Sequence, residues 1–411
     1  MTDRLLFRDL LAASFLFAVC AASPAQDGVV ALRGARVLPI DGPVLEQGIV
    51  VVAGGRVLAV GGADLAIPDG ARVVDCSGKV ITPGLVDAGT TLGVQPSDLN
   101  EQGDEITPHL RVIDALDPRD PRLLRALRAG VTTIQVNPGN RNVIGGLGAV
   151  IKTRGATVER MLIREESGLR LAMGSEPSQG NRAIRGGTPV GMYYRRPTTR
   201  MGVVWEARKA FYDAQAQLEQ QSLGNGAPNG DVEPGTAVLI RALQGEVIVR
   251  TTARAEQDIR TALRLAEEFG YRMLVEEATE AWRVVDEIAA AGVPVLLSAP
   301  SRITAAEGAD VRFSTLNELA EKNVPFAICS GADAGSLNLI YEAMFAVRHG
   351  LPAERALRAV TLDAARLIGV ADRVGSISPG RDADLVVWSG DPLDPTSSVE
   401  EVWVGGRKVV P

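Results

Sequence analysis

Between residues 246 and 348 the chain alternates short β-branched runs with amphipathic stretches, and this alternation restricts the fold more than any other feature. Glu246 to Thr251 reads as a strand. Ala255 to Phe269 places Ile259, Ala262, Leu263, Ala266 and Phe269 on one helical face, with Gly270 as its stop. Arg272 to Glu276, Val293 to Ser298 and Val324 to Cys329 read as further strands. Thr279 to Ala291, buried through Trp282, Val285 and Ile288, and Asn338 to Arg348 read as helices, and Thr315-x-x-Glu318 fits a capping box. Upstream, Asp120 caps a helix that begins at Pro121 and stops at Gly130, before a strand over Val131 to Val136. Such spacing predicts a parallel sheet. The roughly 290 residues between the β-rich ends suit closure as a (β/α)8 TIM-like barrel. A doubly wound open sheet is the alternative, although no Gly-x-Gly-x-x-Gly follows a strand and no phosphate loop is present.

The two ends have a different texture. Val29 to Leu32, Arg36 to Leu38, Gly48 to Val52, Arg56 to Val60, Ala71 to Asp75 and Gly78 to Ile81 read as short strands, with a hairpin at Gly54-Gly55. Ala383 to Trp388, Val399 to Val404 and Arg407 to Val410 repeat the pattern at the far end. The expected organisation is a small β-sandwich built from both termini, residues 29–82 plus 372–411, around a barrel over 83–371. Residues 177–200 and 221–236, rich in Gly, Arg, Pro and Asn, read as long loops.

Arg4 and Arg8, the apolar run Leu10 to Ala22 and Ser23-Pro24-Ala25 form a signal-peptide pattern over residues 1–25. They predict export to the periplasm or the medium, with no membrane attachment after cleavage. The apolar run is short for a bilayer span. A net charge of −7 offers nothing to nucleic acid. After removal of Cys20, Cys76 and Cys329 remain, far apart and without zinc-motif spacing, so buried free thiols are expected.

Two longer motifs carry a resemblance. Asp75-Cys76-Ser77-Gly78-Lys79-Val80-Ile81-Thr82-Pro83-Gly84-Leu85-Val86-Asp87-Ala88 and Gly375-Ser376-Ile377-Ser378-Pro379-Gly380-Arg381-Asp382-Ala383-Asp384-Leu385-Val386-Val387-Trp388 stand at the two junctions of sandwich and barrel. With Gly145 to Lys152 and Thr361 to Ala365, they resemble the amidohydrolase superfamily, in particular its imidazolonepropionase-like branch, over nearly all of residues 29–411. The resemblance implies hydrolysis of non-peptide C–N bonds. It also implies metal held by His-x-His on strand 1, histidines on strands 5 and 6 and an aspartate on strand 8, with the metal converting water to hydroxide.

This chain departs from that ligand set. The His-x-His positions match Gly89 and Thr91, the strand 5 position falls near Thr252, and the strand 6 position near Glu277. The strand 8 aspartate falls at Gly331 or at Asp333. The chain contains two histidines, His109 before a helix and His349 beside Gly350, both remote from these positions. The reading is therefore an exported, zinc-free, degenerate member acting in binding or assembly, with no cofactor.

The polar residues expected to line a cavity are Asp87, Thr91, Asn137, Lys152, Thr252, Arg254, Glu277 and Asp333, with Asp333 and Asp87 as candidate catalytic carboxylates. Arg254 and Glu277 are expected to pair in the volume the metal would fill. Two alternatives stay open. One is an active hydrolase of cyclic amides or imides that uses carboxylates or one hard divalent ion held by Asp87, Glu277 and Asp333. The other is a structural or solute-binding module. Partners consistent with these readings are a small-molecule ligand, a second copy of the chain or an active relative.

Overall fold

The structure, a computed structural model, describes residues 28–179, 197–223, 232–298, 309–331 and 339–410. The expected leader and Asp333 lie outside them, as do most residues of the two expected long loops.

Strands β1 (Val30–Val37), β2 (Leu45–Ala53), β3 (Arg56–Gly61), β4 (Arg72–Asp75) and β5 (Val80–Pro83) open the chain. Barrel strands follow as β6 (Leu85–Thr90), β7 (Val131–Val136), β8 (Ile144–Lys152), β9 (Leu162–Ala172), β10 (Val249–Thr252), β11 (Met273–Glu276), β12 (Val295–Ser298) and β13 (Phe326–Cys329). Strands β14 (Leu385–Trp388), β15 (Val399–Val404) and β16 (Arg407–Val410) return to the first sheet.

That first sheet runs β16-β15-β14-β5-β1-β2-β3, with β4 also paired to β1, so both chain ends share one hydrogen-bonded path. It rolls on itself: Val57 N–H bonds the Arg381 carbonyl at 2.9 Å and Ala383 N–H bonds Gly55 at 2.9 Å. The expected sandwich is thus one curled sheet. Strand alternation attaches it to the barrel. Leu385 and Val387 of β14 pack in the sheet's own core with Leu32, Val50 and Trp403, while Val386 and Trp388 enter the larger core shared with the barrel helices. Gly130 permits that contact, because a Cβ there would stand 3.3 Å from Val386.

The barrel sheet runs in chain order from β6 to β13. Strands β6 and β7 are parallel, as are β9 to β13, but β8 is antiparallel to both neighbours. The strand–helix alternation expected throughout is broken here, because no helix separates β7 from β8 and a direct connection permits only antiparallel pairing. Closure between β13 and β6 comes from a Thr90–Gly331 bridge and the Gly331 N–H bond to Gly89 at 3.0 Å. Val86, Ala88, Val150, Leu274, Leu296, Ala327 and Cys329 fill the interior, together with Ala364, Ala365 and Ile368 from the segment after β13. Cys76 and Cys329 are free and buried.

Three local readings change. The stretch 279–291 is a 3-10 turn, Ala281–Arg283, followed by the helix Val285–Ala291. Ser314, not Thr315, is the N-cap of the helix Thr315–Glu321, and its hydroxyl donates to Glu318 at 2.9 Å. The region between the two long loops is a 23-residue helix, Arg200–Ser222.

Lys152 corrects a site expectation. It pairs with Thr133 across the ladder while Ala149 pairs with Val136, so reversal of β8 carries Lys152 to the end of the barrel opposite the mouth. There it is buried against Asp384 and, at 3.0 Å, Asp382. The ammonium therefore joins barrel to sheet and lines no mouth cavity. Lys152→Met leaves two carboxylates buried without it and is expected to cost about 3–5 kcal/mol in urea unfolding. A loss below about 1 kcal/mol would show that Arg373, 2.9 Å from Asp382, suffices alone.

Candidate functional site

The C-terminal ends of the parallel strands hold a continuous polar network. Its centre is Glu276, the last residue of β11, which receives Arg170 of β9 and, at 2.5 Å, Arg250 of β10. All three side chains are at most 4% exposed. Burial alone would raise the Glu276 carboxyl, but the Arg170 and Arg250 charges outweigh it and hold the group below the ordinary carboxylate range. Arg250 reaches across the barrel as well, donating from Nη2 to the Ala88 carbonyl of β6 at 2.6 Å.

Around this centre lie amides. Asn140 Oδ1 accepts from Arg170 Nε at 2.9 Å and from Thr252 Oγ1 at 3.2 Å, while its Nδ2 donates to Glu277 at 3.0 Å. Asn137 accepts from Gln135 Nε2 at 2.9 Å and donates to Glu276 at 3.5 Å. Glu277 pairs with Arg254, and Arg254 also bonds Glu176 at 2.7 Å. Successive strand residues point to opposite faces. Glu276 and Glu277 nevertheless meet the same arginine, Arg170, because Glu277 turns left-handed at φ 56° and swings its carboxylate to 3.5 Å from Nη2. A non-glycine residue in that region costs roughly 1–3 kcal/mol, which the surrounding bonds must offset.

Asp87 stands apart from the network. Its carboxylate accepts from Ser330 N–H at 3.1 Å, from the Ser330 hydroxyl and from Gly89 N–H at 3.3 Å. It therefore fastens β6 to the residue that follows β13. Burial lifts its carboxyl to about 6, against the lowering effect of these bonds. Thr91 is buried just beyond β6.

The structure thus gathers Asn137, Thr252, Arg254 and Glu277 in one network, assigns Asp87 to barrel closure and places Lys152 at the other end. Asp333 is outside the described residues. Arg170, Arg250, Glu276, Asn140 and Gln135 were missed. Arginine inside Leu169-Arg170-Leu171 and Val249-Arg250-Thr251, and glutamate directly after Leu274-Val275, were available signals, since a charge on a strand enclosed on both faces has to find a partner inside.

These groups do not fit the zinc site expected of the resemblance. Gly89 has no donor, and a Cβ there would lie 2.9 Å from Leu296 Cδ2 and 3.2 Å from Cys329 Sγ. Thr252 is engaged with Asn140, and Glu277 with Arg254 and Asn140. Three guanidinium groups stand where a dication would add further positive charge. His109 lines a surface groove with Glu206 and Glu233, and His349 packs against Phe313 and Phe345, both away from the network. Gly331 adopts φ 77° and has no ligand atom, so it offers no substitute for the strand 8 aspartate.

A sequence profile described as the Amidohydrolase family matches residues 257–409. Amidohydrolase tasK of Hapsidospora irregularis is 29% identical over 371 residues, covering 83% of this chain and 37% of its own length. The chain therefore spans well under half of that relative. An imidazolonepropionase of Hahella chejuensis (strain KCTC 2396) is 24% identical over 345 residues, 77% of this chain and 80% of the relative. The crystal structure of an amidohydrolase from Thermotoga maritima MSB8 superposes with a TM-score of 0.85 at 33% identity, covering 92% of this chain and 99% of that one.

The raised Asp87 carboxyl gives a pH signature. In the unfolded chain the group titrates near 3.8 and in the fold near 6, so between these values the folded state holds the extra proton. Stability therefore falls as pH rises from about 4 to 6 and flattens above. Thermal unfolding of Asp87→Asn is expected to lack that part of the slope; identical slopes in both proteins would show that Asp87 does not titrate there.

Proposed function

This chain belongs to the amidohydrolase family, and from that premise we propose that it is an exported, zinc-free member whose barrel serves binding or assembly in place of metal-dependent hydrolysis. The packing around Gly89 carries the reading: the first ligand position of the family's strand 1 pair is closed by Leu296 and Cys329. The ion-paired network supports it, because Arg170, Arg250 and Arg254 balance carboxylates that a dication would otherwise balance. Among the described residues no group of three His, Cys, Asp or Glu side chains is placed to hold a metal ion. For export the support is the N-terminal sequence pattern. No helix among the described residues is long and apolar enough to cross a membrane. Under this reading the chain acts through a small-molecule ligand, a second copy of itself or an active relative.

A second reading has one observation in its favour. Asp87, at about 6, titrates close to neutrality beside the Ser330 hydroxyl at the barrel mouth. Hydrolysis of a cyclic amide or imide by carboxylates, with or without a hard ion, would use such a group. It predicts a turnover that Asp87→Asn or Glu277→Gln abolishes.

Elemental analysis of protein purified without added metal tests the first reading directly. The expected result is no stoichiometric transition metal. One tetrahedrally bound zinc per chain would overturn it. Gly89→His, which restores the missing imidazole, is expected to lower stability by about 1–3 kcal/mol through overpacking and to leave zinc affinity unchanged. A gain of tight zinc binding would show that the barrel retains the remaining ligands.

A further inference from the structure

We propose that Arg250 and Arg170 form a buried anion site inside the barrel mouth, which takes a small monocarboxylate. The proposal rests on the zinc-free reading of the same strands. Arg250 is 1% exposed. Its Nη2 is taken by Ala88 and Glu276, but Nε and Nη1 have no acceptor among the described residues. A shielded N–H without an acceptor carries its full desolvation cost.

Across the network Arg170, Arg250 and Arg254 are matched in number by Glu276, Glu277 and Glu176, but the one carboxylate that Arg250 itself meets among the described residues is Glu276, which it shares with Arg170. The backbone is shaped for the guanidinium stem: at Gly168 of β9, with φ 152°, a Cβ would stand 2.6 Å from Arg250 Cδ. The near-complete enclosure of Arg250 restricts the ligand to a few heavy atoms or to the carboxylate end of a larger acid.

The test uses the mature chain and formate as probe. Calorimetric titration at fixed ionic strength is expected to show one saturable site in the millimolar range, with a matching rise in Tm. Arg250→Lys keeps the charge but removes the guanidinium N–H array, and is expected to weaken formate binding by about tenfold or more. Glu276→Gln removes the carboxylate that Arg250 and Arg170 share, leaving one guanidinium charge unmatched, and is expected to tighten formate binding, a change of opposite sign that mere loss of structure would not give. Crystals of the unmodified protein soaked in bromide are expected to show an anomalous peak within hydrogen-bonding reach of Arg250 Nε or Nη1, so the result does not depend on whether a variant folds. No saturable heat with formate together with no bromide peak, or equal affinity in Arg250→Lys, would overturn the site. Stoichiometric zinc in the same preparation would instead overturn the zinc-free reading, whereas metal-free protein with neither formate heat nor a bromide peak removes only the anion site.

Discussion

A guanidinium buried across a barrel is the constraint around which the mouth is organised. Arg250 starts on β10, lies over Gly168 of β9, meets Glu276 of β11 and ends on the Ala88 carbonyl of β6. Four strands are thereby tied to one planar cation. A charge so enclosed is tolerable only with partners, and those partners need partners in turn. Arg170 shares Glu276, Asn140 supports Arg170, and Glu277 with Arg254 completes the rim. Within the family this is an internal ionic solution where the resemblance implies imidazoles around a metal.

The closure of the barrel and the chemistry of its mouth use different residues although both lie at the same end. Asp87 and Ser330 fasten the first strand to the last, and Gly89 lets β6 pack closely against Leu296 of β12 and Cys329 of β13. The network proper belongs to the strands from β7 to β11. Changes to the polar cluster and changes to the seam are therefore separable. At Glu277 a strained, left-handed backbone carries a side chain that completes the rim.

Much of this architecture was legible in the sequence. The helix from Glu256 to Phe269 with its left-handed Gly270, the Asp120 cap and the paired β-rich ends all follow local rules that the structure obeys. The reversal of β8 was not legible, because its apolar run reads the same in either direction and orientation depends on the connection. The helix Arg200–Ser222 was hidden by flanking Gly- and Pro-rich segments and by an apolar pattern too weak to define one face. At the site, the ligand positions implied by the resemblance fall at Thr252 and Glu277. The charged residues that organise the centre, Arg250 and Glu276, sit two and one positions earlier, and only the enclosure of both sheet faces reveals where they must point.

The rolled terminal sheet has a consequence for synthesis. Strand β5 finds its neighbour β14 only after the whole barrel has been made, since Pro83 pairs with Leu385. The first five strands thus leave the ribosome long before their partners exist, and contacts of such sequence separation form slowly. Completion of the terminal sheet therefore waits on synthesis of the barrel, an interval in which the first five strands remain open to chaperones.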